Sequence, residues 1–148
     1  MSQYRARNTI SGKEGRAFLD GVELFQCKKI EATMEKEKSE VKVMGRRMTG
    51  HKTIGGAGTG TLTIYKATSQ FVEIAQAYVK RGEDPYLTIE TVTDDKSSGR
   101  GAERVILRDV NLDSVMVANL DADAEVLEEE IPFTFEDLDV VAKHKRTV

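Results

Sequence analysis

Apolar and polar residues alternate along most of this chain, and only once does that period of two give way to the longer period of a helix. Alternation puts one set of side chains on each face of an extended strand, so a chain patterned this way must build sheets with one buried face. Ile30, Ala32 and Met34 alternate with Glu31, Thr33 and Glu35; Leu62 and Ile64 alternate with Thr61, Thr63 and Tyr65. Ile131, Phe133 and Phe135 alternate with Pro132, Thr134 and Glu136 in a last strand, where Pro132 predicts a sheet edge or a backbone nitrogen turned away from a ladder. Ala17–Leu19 and Val22–Phe25 flank Asp20-Gly21, a pair that tolerates the positive φ of a tight hairpin turn. Tyr86–Thr93, Glu103–Leu112 and Ser114–Leu120 read as further strands, and Asp121–Ala124 as a turn.

The exception lies at 69–81. Phe71, Ile74, Ala75, Tyr78 and Val79 share one helical face, Thr68 or Ser69 can cap the start, and Lys80, Arg81 and Gly82 suit the end. Pro85 prevents the helix from resuming. The fold class is therefore mainly β, as a barrel or sandwich with one flanking α-helix. Its 148 residues fit a single domain spanning 1–148, with no internal repeat or boundary.

Three segments stand outside the strand pattern. Residues 1–15 are polar, without period, and read as an N-terminal arm; residues 142–148 read as a basic, mobile tail. Residues 45–60 hold six glycines and few large apolar groups, and read as a long loop, a length that compact domains rarely keep without a use. The Glu35–Lys38 stretch reads as a hairpin tip between β-branched flanks.

Net charge, −3, is too small to imply a nucleic-acid or membrane partner, but its distribution is uneven. Arg5, Arg7, Lys13 and Arg16 face only Glu14 in residues 1–16, and Lys42, Arg46, Arg47 and Lys52 have no acid within 41–52. Residues 121–139 carry nine acids and no base. Blocks of opposite sign suit association between copies. Ordinary solvated faces look the same, and the residues alone do not separate the two. No apolar stretch follows the basic start as in a signal peptide, and no run approaches the roughly 18 apolar residues of a membrane helix. With Cys27 as the only cysteine, these features predict a protein kept in the cytosol, without an intrachain disulfide.

Motifs for catalysis or cofactors fail in detail. His51, His144 and Cys27 lie far apart and match no zinc spacing. The acids at Asp94-Asp95 and Asp121/Asp123 lack a calcium-loop pattern. A phosphate loop needs Lys-Ser or Lys-Thr after its last glycine, and Gly60 is followed by Thr61-Leu62. No G-x-S-x-G elbow exists. The sequence thus predicts no catalytic residue, no metal site and no cofactor. Cys27 beside Lys28 and Lys29 reads as an inert core thiol more readily than a reactive one. Arg46-Arg47 with His51-Lys52 lacks the interleaved aromatics of a nucleic-acid platform and reads as a contact or solvated loop.

The order of parts carries a resemblance. A basic arm precedes Gly15-Arg16-Ala17-Phe18-Leu19-Asp20-Gly21. A glycine-rich stretch, Met44–Gly60, leads into Thr61-Leu62-Thr63-Ile64-Tyr65, and a single helix follows. The chain then closes with Val110–Val115 and Glu130-Ile131-Pro132-Phe133-Thr134-Phe135-Glu136-Asp137. This layout resembles, over essentially the whole chain, the tail tube proteins of contractile phages and of PBSX-type defective prophages. The resemblance implies a core shared with the type VI secretion tube, and six copies joined sheet edge to sheet edge in a ring. It also implies stacking of rings into a hollow tube with sheath, tape-measure and baseplate proteins as partners, and DNA only as passing cargo. It implies a virion tail location after assembly in the bacterial host's cytoplasm. Arms and long loops supply the stacking contacts in such a tube, which makes Arg5, Arg7, Arg46, Arg47, His51, Lys52, Gly55, Gly56 and Gly58 the candidate interface residues. A secretion tube, or a monomeric β-barrel binding module, is the alternative reading.

Overall fold

The Asp20-Gly21 turn opens the sheet. In the computed structural model, which describes residues 3–146, β1 (Gly15–Leu19) and β2 (Val22–Glu23) pair across it. Both turn residues have positive φ, 49° and 85°, as the predicted tight hairpin requires. Strand β1 continues outward to β5 (Leu87–Thr93), and β5 to β6 (Glu103–Leu112), all antiparallel.

Strand β6 joins two sheets. Opposite β5 its register slips between the Leu87–Val110 and Ile89–Leu107 pairs, and Asp109 within that slip has φ 54°. Such a bulge bends a strand. Before it, β6 belongs with β5 and with β8 (Asp137–Ala142); after it, Asn111 and Leu112 pair with β7 (Glu128–Phe135). Strands β7 and β8 turn the matching corner at Glu136, whose N–H donates to the Arg108 carbonyl. The second sheet continues from β7 to β4 (Gly50–Tyr65) and ends on β3 (Cys27–Val41). One bent sheet, in the order β2-β1-β5-β6-β7-β4-β3 with β8 also on β6, folds over a shared interior. The mainly β fold with one helix, expected from the alternation, is what forms.

That interior is filled by inward members of the alternating sets: Leu62, Ile64, Ile89, Leu107, Val110, Ile131 and Phe133, closed at one end by Phe71. Phe71 comes from α1 (Gln70–Arg81), which stops at Gly82 in the left-handed conformation (φ 70°), as its sequence predicts. Ser69 occupies the N-cap position without a side-chain cap hydrogen bond. The predicted apolar face is only half used: Phe71 is buried and Ile74 half-buried, while Tyr78 and Val79 remain 60% and 76% exposed, because among the described residues no strand or helix covers the helix's second half.

Four expectations need correction. Residues 45–60 are not a loop: from Gly50 onward they are strand, hydrogen-bonded to β3 along its whole outer length. Glu35–Lys38 is not a hairpin tip but the middle of β3, and the chain turns instead at 42–49. Ser114–Leu120 forms no strand. After Asp113 donates its N–H to the Pro132 carbonyl, the chain leaves β7 and runs irregularly to Glu128. Finally, the N-terminal arm is packed: Ala6–Asn8 and Gly12–Glu14 form short 3-10 turns docked on the loop after β5. Pro132 obeys the second of its two alternatives. Strand β7 is internal, and since N and C=O of one strand residue point the same way, a carbonyl directed at Asp113 turns the proline nitrogen away from β4.

Candidate functional site

Strands β3 and β4 are 15 and 16 residues long, about 50 Å each at about 3.3 Å per residue. Their inner parts belong to the sheet, since β4 pairs with β7 from Gly58 to Tyr65. Beyond Gly58 the two strands continue alone. Glu35–Val41 and Gly50–Ala57 make a two-stranded ribbon, exposed on both faces, that ends in the 42–49 turn. A lone two-stranded hairpin in water is marginal. This one keeps its ladder to the end, Val41 opposite Gly50, interrupted by one register slip between Glu37 and Lys38 that leaves Ile54 as the extra residue.

The glycines of β4 divide along the same line. A Cβ at Gly58 would lie 2.5 Å from the Phe135 ring, and one at Gly60 would lie 2.4 Å from the Phe133 ring and 2.5 Å from the Glu31 carbonyl oxygen. Two aromatic rings lie flat over the strand where side chains are missing, so both glycines are demanded by core packing. Gly56 is tight only against the Glu35 carbonyl, at 3.2 Å, and Gly55 meets nothing closer than the Glu37 carboxylate at 3.6 Å. Of the expected interface glycines, Gly58 therefore has a core role inside the subunit, whereas Gly55 and Gly56 lie on the free ribbon.

Arg46 and Arg47 lie in the ribbon's turn; His51 and Lys52 begin β4, opposite Glu40 and Ser39. All four are exposed. Sequence reasoning missed their apolar neighbours. Met44 and Met48 are 99% and 83% exposed, and Val43 and Ile54 stand out with them. Their signal was two methionines inside a stretch with few other large apolar groups. Flexible thioethers beside cations suit a surface that another protein covers.

Arg5 and Arg7 sit elsewhere, around the first 3-10 turn. The Asn8 side-chain amide donates to the Ser98 carbonyl (2.9 Å), and the Ser11 N–H donates to Asp95 Oδ2 (3.0 Å). Asp95, almost buried, also accepts from the Ser97 hydroxyl (2.7 Å) and N–H (3.1 Å). These donors, the Ser97 hydroxyl foremost and the Ser11 N–H next, hold its carboxyl below the usual range. The C-terminal stretch reaches the same loop and is tied there: Lys145 N–H donates to the Arg100 carbonyl, and His144 Nδ1 lies 2.8 Å from the Gly101 carbonyl. Residues 147 and 148 of the expected tail lie outside the described residues. The docked arm thus gathers cations from three parts of the chain, among them Arg5, Arg7, Lys13, Lys96, Arg100 and Lys145. Among the described residues no hydrogen bond or ion pair links this cluster to the ribbon cations.

The acidic block is partly neutralised at home. Glu128 pairs with Lys28 (2.8 Å), the near-buried Glu129 with Lys66 (3.0 Å), and Asp139 with Arg108. Asp121, Asp123 and Glu125 stay exposed in the irregular segment. Cys27 is half-buried at the base of β3, where burial pushes its thiol up against a smaller opposing effect of the Lys29 backbone hydrogen bond. His51, His144 and Cys27 lie on separate elements. No helix is long and apolar enough to cross a membrane among the described residues.

Comparison with known proteins follows the same lines. Residues 2–142 match the family model described as phage tail tube protein. The phage-like element PBSX protein XkdM of Bacillus subtilis (strain 168) is 64% identical over 139 residues, 94% of this chain and 95% of that protein. Among solved structures, a chain of the anti-feeding prophage cap superposes with a TM-score of 0.72 at 12% identity, covering 100% of this chain and 95% of that one. A chain of an extracellular contractile injection system, in its extended sheath-tube complex, superposes at 0.70 and 10% identity, over 90% and 92%.

Proposed function

This chain belongs to the phage tail tube family and is a structural tail tube subunit; from that premise we propose that six copies close into a ring and that the β3–β4 ribbon of each reaches into the next ring of a stack. The ribbon carries this reading. It is a two-stranded element with neither face covered, tipped by Met44 and Met48 and by Arg46 and Arg47. Within one subunit it buries almost nothing, and a ladder of this length needs a third surface to justify it. Arg5 and Arg7, in the docked cation cluster, meet acids of a neighbouring copy. Asp121, Asp123 and Glu125, exposed in the irregular segment, supply that charge. Single exposed pairs are weak and screened, but repeated around a ring they set register and rate.

The tube so built assembles in the host cytoplasm and serves as a passive conduit. It engages sheath, baseplate and tape-measure proteins, and DNA passes without being held. Acids outnumber Lys and Arg 25 to 22, and nucleic-acid binding draws on many cationic contacts.

Shortening the ribbon tests the reading. Replacing residues 37–55 by Asn-Gly joins Lys36 to Gly56 across a two-residue turn and leaves every β4–β7 pair in place. The shortened subunit should unfold at nearly the wild-type temperature and form no long tubes under the electron microscope. Tubes of normal length from it would remove the ribbon from stacking.

A further inference from the structure

The bent sheet does not close. Between the inner face of β3 and the margin made by β6 and β8, a groove of about 880 Å³ stays open to solvent. Its walls are interior residues without cover: Ile30, Ala32 and Met34 from β3, Val105 from β6, Leu138 from β8, with Phe135 at the floor. Leu138 and Met34 belong to inward-facing sets by register, yet remain half-exposed because nothing lies over them. Cations outnumber acids along the groove's lining. Lys13 and Arg16 make no ion pair among the described residues, Lys28 and Lys29 are each engaged with a glutamate, and Glu23 is the one acid that lines it.

A second unsatisfied element lies at the opposite margin of the same sheet. Past Asp113 the chain departs along the far side of β7, where Met116–Asn119 lie near Lys66 and Glu128. Its sequence, Val115-Met116-Val117-Ala118-Asn119-Leu120, is apolar at five of six positions and has no ladder; Val115 is half-buried against the core, and the residues after it are exposed. Val117 is 62% and Leu120 97% exposed. Asp113 precedes it, and Asp121, Asp123 and Glu125 follow.

We propose that the groove receives residues 116–120 of a second copy of this chain. This rests on the self-association proposed above and says which surfaces make it. The strand order β7-β4-β3 separates segment from groove within one subunit. A copy therefore fills its neighbour's groove with its own segment while its own groove takes the segment of the copy on the other side. Such a contact is head-to-tail, and it closes into a ring when the rotation from one copy to the next divides the circle evenly. An apolar run meets an apolar trough, and the acids flanking the segment meet the basic stretch 5–16, Lys13 and Arg16 at the mouth together with the Arg5 and Arg7 named above. An extended apolar segment laid against a sheet margin is a known way for strands to recognise a partner.

Two single-cysteine chains test it, both with Cys27→Ser. One carries Ala32→Cys in the groove and the other Val117→Cys on the segment. Mixed, associated and mildly oxidised, they should give a disulfide-linked heterodimer in larger yield than either chain alone gives homodimer. Leu120→Asp, at a site exposed in the subunit, should leave the unfolding curve unchanged and raise the concentration needed for assembly by about tenfold or more. If rings and tubes form from the mixture without the heterodimer, and Leu120→Asp assembles like wild type, this inference is overturned while the tube reading stands. If wild type builds no rings or tubes but the heterodimer forms in a smaller associated species, the groove contact stands and the ring-and-stack reading falls. Neither product would overturn both.

Discussion

From Gly58 to Tyr65, β4 has a strand on each side and an aromatic layer over one face; from Gly50 to Ala57 the same strand has β3 alone, and solvent above and below. Glycine is frequent in both halves for different reasons. In the inner half Phe133 and Phe135 occupy the space a side chain would need. In the outer half a Cβ at Gly55 would meet nothing closer than the Glu37 carboxylate at 3.6 Å, so the subunit's own packing does not require that glycine. The inner half serves the fold; the outer half, on the reading proposed above, serves contact between copies.

The largest effect should come from removing the aromatic layer. Phe133→Ala deletes a fully buried ring and should cost about 4 kcal/mol in a urea titration. A loss below about 1 kcal/mol would mean that the inner half is not held by this layer.

Gly60→Ala comes next, at about 2–3 kcal/mol, because the new methyl meets a ring and a backbone oxygen that cannot both retreat. Shrinking the ring should relieve part of the clash. Gly60→Ala with Phe133→Leu is expected to be less destabilised than the sum of the two single changes. Strict additivity would separate the glycine from the ring above it.

The arm should respond locally. Hydrogen bonds from Ser97 and Ser11 hold the Asp95 carboxyl below its unfolded value, so the stability this group contributes is fully present above about pH 4 and is lost as pH falls through the lower, folded value. Amide protection factors across 6–14, referred to the intrinsic exchange rate at each pH, should fall in acid, and Asp95→Asn should lower them at neutral pH. A fall in protection that starts near pH 6 in wild type would assign the clamp to another group.

The smallest effect belongs to Gly55→Ala. Its methyl has ordinary contact distances, so unfolding should shift by no more than about 0.5 kcal/mol. If tube formation nonetheless weakens, the comparison sharpens: the outer glycine is an assembly residue and the inner one a folding residue.

The alternation of apolar and polar residues was enough to specify a sheet fold, the Asp20-Gly21 pair a tight turn, and the Phe71–Gly82 pattern a helix with a definite end. Each is local, written in neighbours or in spacings of two to four. The apolar run also predicted a strand at Ser114–Leu120, where the chain instead leaves the ladder after Asp113; an apolar run does not say where a ladder ends. The converse failure is the ribbon. Alternation reports which face is buried, and a ribbon with no buried face leaves no such trace. Glu35–Lys38 therefore looked like a hairpin tip, and Gly50–Ala57 like part of a loop over 45–60. Only the tertiary structure decided that Gly58 and Gly60 lie under rings from β7, that the arm docks on Asp95, and that interface candidates fall into two separate places. Those facts depend on residues far apart along the chain, brought together by strand register and by the bulge that bends β6 from one sheet into the other.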